Sequence, residues 1–150
     1  MKKIVFICLG NICRSPLAEG IARDLIKQMN LDIEVDSAGI SGYHRGEPPH
    51  ELSQQVAREM GLDISDLKSS KVSPYMQADL FVAMDNQNIR DLLALGIDKK
   101  KIIKLGDYGL CGKEIPDPYY KGIDGFYEIR DLLKVSITEF LKDISCKNFE

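Results

Sequence analysis

With 150 residues, 44% of them hydrophobic and 29% charged, the chain has the size and balance of one domain, residues 1–150, able to bury a sizeable core. Its formal net charge of −3 excludes a general basic field for nucleic acid or a membrane surface, so any phosphate site must be built locally. The cysteines, Cys8, Cys13, Cys111 and Cys146, read as catalytic or free thiols rather than a disulfide framework.

The first element is an apolar run from Ile4 to Ile7, short enough for a buried strand. Lys2-Lys3 ahead of it mimic a signal peptide, but Gly10, Asn11 and Arg14 end the apolar stretch too early for a signal core or a membrane span. The expected location is the cytoplasm. Ser15-Pro16 is a helix-start signature, because proline is tolerated where the first helical N–H groups have no partner. The loop between strand and helix has Cys8 at its start and Arg14 near its end. Gly10 and Asn11 are residues that take φ > 0, which lets several backbone N–H groups turn inward. Such a set at a helix N-terminus is an anion site. Arg14 adds a planar fork matched to phosphate oxygens, and a thiol in that field is stabilised as thiolate. The loop reads as a nucleophile on the floor of an oxyanion cradle.

Beyond Pro16, Leu17, Ile21, Leu25 and Met29 recur at helical spacing. Asp32 to Asp36 alternates as a second strand, ended by Ser37-Ala38-Gly39. Ile40 to Pro49 is a Gly- and Pro-containing loop with Tyr43 and His44 near its tip. Glu51 to Met60 reads as a helix stopped by Gly61, and Asp63 to Pro74 as polar loop. A third strand spans Asp79 to Met84, followed by a helix from Gln87 to Leu95 with Gly96 as its terminator. Lys99 to Lys101 is a surface turn, and Ile102 to Leu105 a fourth strand. Gly106 to Gly125 is long and irregular, as functional loops are. Ile129, Leu132, Leu133, Ile137, Phe140, Leu141 and Ile144 mark a closing helix from Phe126. Alternating strands and helices predict an α/β single domain: a four-stranded parallel twisted sheet with helices on both faces. Ligands of such sheets bind beyond the C-terminal strand ends, where Cys8 would sit.

Cys8-Leu9-Gly10-Asn11-Ile12-Cys13-Arg14-Ser15 resembles the signature loop of the low-molecular-weight protein-tyrosine phosphatases, and the likeness continues from Lys3 through the last helix. The resemblance implies a phosphocysteine mechanism without metal or cofactor. Cys8 would be the nucleophile, with Arg14 and the N–H groups of Leu9, Gly10, Asn11, Ile12, Cys13 and Ser15 around the phosphate. Such a mechanism needs a carboxylic acid to protonate the leaving phenolate. Asp117, between Pro116 and Pro118 in the long loop, resembles the family's general acid, and would then activate the water that hydrolyses phosphocysteine. A first step that needs Asp117 protonated while Cys8 is ionised implies an acidic pH optimum.

From the same resemblance, Ser15 would hydrogen-bond the Cys8 sulfur, Asn11 would hold the loop's shape, and Ser37 would bond to Asn11. Tyr43 and Tyr119 would form two walls of a slot deep enough for phosphotyrosine, with Tyr120 a surface residue. Cys13 would be able to form a reversible disulfide with Cys8, whereas Cys111 and Cys146 are ordinary thiols. In one place the pattern departs: Leu67 stands where the family has a histidine that supports the loop asparagine, and neither His44 nor His50 obviously substitutes. The partners implied are a phosphotyrosine protein or small aryl phosphate, with inorganic phosphate as product and neither nucleic acid nor membrane involved. Three alternatives stand beside this. A protein-arginine phosphatase tends to carry Thr where this chain has Ile12. A thiol-type arsenate reductase needs further cysteines, which Asp79 to Leu95 lacks. A non-catalytic phosphate-binding module would not need Asp117.

Overall fold

In the computed structural model, which describes residues 2–146, strand β1 (Lys2–Cys8) runs through the middle of a four-stranded sheet. Its partners are β2 (Ile33–Gly39) on one side and β3 (Leu80–Ala83) on the other, with β4 (Ile102–Lys104) beyond β3. All pairings are parallel. Ile4, Val5, Phe6 and Ile7 have no exposed surface, as a strand covered on both faces requires. Ile4, Phe6 and Cys8 face the larger core with residues of α1 (Arg14–Met29), α2 (Glu51–Glu59) and α4 (Gly122–Cys146). Val5 and Ile7 face the smaller one, with Leu92 of α3 (Asn86–Ala94). The chain crosses from β1 to β2 and then returns to β3 on the opposite side of β1. This reversal opens a crevice at the C-terminal end of β1, where Cys8 is the last strand residue.

Several boundaries differ from the sequence expectation. Helix α1 starts at Arg14, so Pro16 is its third residue, still within the turn whose N–H groups have no helical acceptor. Asn30, at φ 54°, closes it. Strand β2 continues through Ser37, Ala38 and Gly39, which pair with Phe6, Ile7 and Cys8; small residues there conceal the alternation. The segment read as polar loop after Asp63 is fastened to β2, since Gly39 N–H donates to Ser70 O and Val72 N–H to Gly39 O, both at 2.8 Å. Strand β4 stops at Lys104, and Leu105, though fully buried, opens a 3₁₀ turn (Leu105–Asp107). Lys99–Lys101 form another such turn. Helix α4 starts at Gly122, ahead of Phe126, and takes Gly122 and Gly125 out of the long loop expected from Gly106 to Gly125. Gly61 and Gly96, at φ 80° and 91°, follow α2 and α3 as terminators.

Candidate active site

Five residues, Leu9 to Cys13, carry the chain from Cys8 at the end of β1 to Arg14 at the start of α1, and most of the carbonyls along this turn are claimed from outside. Ile40 N–H donates to Cys8 O at 3.0 Å, Ser41 N–H to Leu9 O at 2.8 Å and His50 N–H to Ile12 O at 2.7 Å. Ser69 and Ser53 hydroxyls donate to Gly10 O and Cys13 O, both at 2.9 Å. Every peptide among the described residues is trans, so each N–H points opposite to the preceding carbonyl. Carbonyls held outward at Cys8, Leu9, Gly10, Ile12 and Cys13 therefore turn the N–H groups of Leu9, Gly10, Asn11, Cys13 and Arg14 inward. That is an anion nest formed by its scaffold.

Asn11 takes φ 56°, as the sequence suggested, whereas Gly10 does not have a positive φ. Gly10 is tight for space instead, because a Cβ there would lie 3.0 Å from His44 Cδ2 and press on that ring. Gly39 is equally confined, since its Cβ would meet Asn11 N, Gly10 C and Leu9 O at 3.0 Å. The Asn11 side chain ties the loop together. Its Nδ2 donates to Ser15 Oγ at 2.7 Å and to Ser37 Oγ at 3.0 Å, while its Oδ1 accepts from Ser70 N–H at 3.0 Å. Leu67 packs against the large core, and the loop asparagine is held by Ser37 and Ser70. Ser15 Oγ lies 3.1 Å from Cys8 Sγ.

The Arg14 side chain is 2% exposed. Its Nη1 donates to Asp85 Oδ2 at 2.7 Å and to Ile115 O at 2.8 Å. Nη2 lies 3.9 Å from Asp117 Oδ2. Burial works against its charge, but Cys8, Asp85 and Asp117 outweigh that and hold the guanidinium above its usual range. Asp85 is a site residue that the sequence reading passed over. Its second oxygen caps α3 by accepting from Asn88 N–H at 2.7 Å. The signal was present as a capping box, Asp85 with Asn88, at the end of a strand; without the strand order nothing connected it to Arg14. Burial, with Cys8 and Asp117 adding, pushes the Cys13 thiol far above its ordinary range, and both cysteines are free.

Asp117 hangs between two buried neighbours, Ile115 and Pro118, and its Oδ1 accepts from Tyr119 N–H at 3.1 Å. It borders a cavity of about 420 Å³ together with Cys8, Ile12, Arg14, Tyr43 and Tyr119. Leu9, Gly10 and Cys13 line it too; Asn11, Ser15 and Ser37 are buried in the bonding network and are not among its lining residues. His44 and Tyr120 complete the rim. His44 has its ring centroid 4.8 Å from Tyr43 and 6.1 Å from Tyr119, and its Nδ1 is 2.7 Å from Glu47 Oε2. Tyr120 is 93% exposed, yet stands 4.7 Å from Tyr119 at the rim. His50 sits behind, against Tyr119 and Phe126. Its Nδ1 accepts from Leu52 N–H at 3.1 Å to cap α2, and burial holds the imidazole below its ordinary pKa. Among the described residues, no group of three or more His, Cys, Asp or Glu side chains is arranged to hold a metal ion. None of the helices among the described residues is long and apolar enough to cross a membrane.

A thiol, a buried guanidinium and a carboxyl group thus meet around one anion nest under an aromatic rim, an arrangement suited to nucleophilic attack on a phosphoryl group. The family model for low molecular weight phosphotyrosine protein phosphatase matches residues 3–148. The chain is 40% identical over 152 aligned positions to the low molecular weight protein-tyrosine-phosphatase YfkJ of Bacillus subtilis (strain 168), covering 96% of each. A protein tyrosine phosphatase from Entamoeba histolytica superposes with a TM-score of 0.91 at 33% identity, over 99% of this chain and 100% of that one. A Drosophila arginine phosphatase superposes with a TM-score of 0.85, also at 33% identity, over 96% of this chain and 98% of its own.

Proposed function

The chain belongs to the low molecular weight phosphotyrosine protein phosphatase family, a phosphoric monoester hydrolase lineage, and on that premise we propose that it hydrolyses phosphotyrosine in proteins or small aryl phosphates. The observation that carries this is the convergence of Cys8, Arg14 and Asp117 on one cavity whose floor is the anion nest. Residues 1–150 act as one catalytic domain, and the free cysteines agree with a cytoplasmic setting.

In the first step the Cys8 thiolate attacks phosphorus in line with the departing phenol oxygen. The S–P bond forms as the P–O bond breaks, and Asp117 gives its proton to the phenolate. Arg14 and the inward N–H groups take the charge of the equatorial oxygens. In the second step Asp117, now a carboxylate, takes a proton from the water that attacks phosphocysteine, and inorganic phosphate leaves. The Ser15 hydroxyl, 3.1 Å from the sulfur, stabilises the departing thiolate. Tyr43 and Tyr119 flank the ring of the substrate, and the apolar Ile12 side chain suits an aromatic ester better than a guanidino group.

A phosphoarginine would use the same nucleophile and the same nest, and the likeness to the Drosophila arginine phosphatase gives that substrate a place in the test. Phosphate release is measured from matched phosphotyrosine, phosphoserine and phosphoarginine peptides, by the wild type and Cys8→Ser, with EDTA present. Release from phosphotyrosine, abolished in Cys8→Ser and indifferent to EDTA, is the expected result. Preference for phosphoarginine would keep the mechanism and change the substrate. Absence of release from all three would overturn the phosphatase assignment and make arsenate reduction or simple phosphate binding the next assay.

A further inference from the structure

Glu19 has no part in the mechanism above, yet it is one of the most buried charged side chains, 2% exposed on α1 and one turn beyond Ser15. Its Oε1 accepts from Ser37 Oγ at 2.7 Å. Ser37 Oγ in turn accepts from Asn11 Nδ2, whose other hydrogen goes to Ser15 Oγ, which lies against Cys8 Sγ. We propose that Glu19 is a positioning residue, the terminal acceptor that sets the direction of this hydrogen-bond chain and so aims the Ser15 proton at the Cys8 sulfur. The proposal rests on Cys8 being the nucleophile assigned above.

The direction follows from what each group can donate. An ionised carboxylate only accepts, so the Ser37 proton goes to Glu19. That leaves the Ser37 oxygen facing Asn11 as an acceptor. The Asn11 amide cannot flip, because its Oδ1 already receives the Ser70 N–H at 3.0 Å. Both Nδ2 hydrogens are therefore spent, one on each serine. Ser15 accepts from Asn11, and its own proton is left for the sulfur, where it favours the thiolate.

The carboxylate's own charge would act on the sulfur with the opposite sign. It is offset by Arg23, whose Nη2 lies 2.6 Å from Glu19 Oε2; that oxygen has no other hydrogen-bond partner. Burial, with Asp36 adding, holds the Glu19 carboxyl above its ordinary range, against the Ser37 hydrogen bond and Arg23, which favour the carboxylate; Arg14 and Asp117 line the cavity beside Cys8. A glutamine could not replace the carboxylate. Its single oxygen serves either Ser37 or Arg23, and its amide would turn a donor toward one of them.

The test reads the thiol rather than turnover, so a wrong substrate assignment leaves it intact. Iodoacetamide alkylation of Cys8 is followed from pH 4.5 to 8 by mass spectrometry of the peptide that carries it. The proteins are the wild type, Glu19→Gln, Ser37→Ala, the double variant and Arg23→Ala. In Glu19→Gln the profile should move to higher pH, slowing alkylation at pH 5.5 about three- to tenfold, the worth of one hydrogen bond. Ser37→Ala should do the same, and the double variant should add nothing, since both act through one chain. Arg23→Ala should shift the profile in the same direction by about twofold, by uncovering the carboxylate's charge. An unmoved profile in folded Glu19→Gln, a shift to lower pH, or additive effects in the double variant would overturn the proposal. Should Glu19→Gln fail to fold, unmoved profiles in both Ser37→Ala and Arg23→Ala would do so instead.

Discussion

Arg14 is a cation almost without exposed surface, and its two anchors, Asp85 and the Ile115 carbonyl, lie 71 and 101 residues along the chain. A buried guanidinium is tolerated only where it is paired and its N–H groups are met. Asp85 does both, and at the same time fixes the start of α3. In Asp85→Asn the shape remains and the charge is lost, so the fork loses its strongest guide. Steady-state kinetics should record kcat/KM for a phosphotyrosine peptide lowered about 10- to 100-fold with the fold retained. An unchanged kcat/KM would mean that the Ile115 carbonyl alone orients Arg14.

His50 acts at the same scale through its backbone and its ring. Its N–H holds the Ile12 carbonyl, and its unprotonated Nδ1 caps α2. Burial lowers its pKa in the folded protein, so the unfolded chain binds the proton more readily. This contribution to stability is whole above the unfolded value of about 6.5 and is lost as the pH falls through the lower folded value. Thermal unfolding should therefore show a Tm that declines below about pH 6.5. In His50→Asn, where the cap does not titrate, that part of the decline should disappear.

Among elements, the junctions matter more than the lengths. The loop from Cys8 to Arg14 holds its shape because Ile40 and Ser41 just after β2, His50 and Ser53 at the start of α2, and Ser69 each claim part of its backbone, while Ser70 holds the Asn11 side chain. The loop that carries Asp117 is fastened just as closely. Gly112 N–H donates to Gly106 O, and Ile115 N–H to Met84 O, both at 2.9 Å. Gly106 packs so tightly that a Cβ would fall 1.6 Å from Lys113 O, a backbone atom that cannot turn aside. Gly106→Ala must displace the segment that carries both Ile115 and Asp117. Chemical denaturation should register a loss of about 1–3 kcal/mol or more, with turnover reduced alongside. If stability and turnover were both unchanged, the two loops would be mechanically independent.

At the scale of the whole molecule, one core runs from the β1 face through α1 and α2 to α4, and the site rests on its upper edge. Phe140 is fully buried, stands 5.1 Å from Tyr108 between centroids and is not among the lining residues of the cavity. Phe126, equally buried, stacks on His50 at 4.9 Å and through it reaches Tyr119 and the Ile12 carbonyl. Both alanine substitutions should cost about 3–5 kcal/mol in denaturant unfolding. At a temperature where each remains folded, Phe140→Ala should keep the wild-type kcat, whereas Phe126→Ala should lower it. Equal kcat values for the two would show that the aromatic rim takes no support from the core below it.

The sequence by itself determined the parallel α/β architecture, the strand–loop–helix that carries Cys8 and Arg14, and the Asp117 between prolines, because each is a local pattern of periodicity or backbone restriction. It missed the last residues of β2 and the first turn of α4, where small residues and glycines carry no periodic signal. Only the tertiary structure decided that β3 lies beside β1, which brings Asp85 to Arg14, and that His44 closes over Gly10. It also decided what holds Asn11 where Leu67 stands: Ser37, Ser70 and, behind Ser37, Glu19. Hydrogen bonds between distant segments leave no periodic trace in a sequence. They depend on which strand ends the sheet order brings together, and that order emerges only when the hydrophobic faces have found one another.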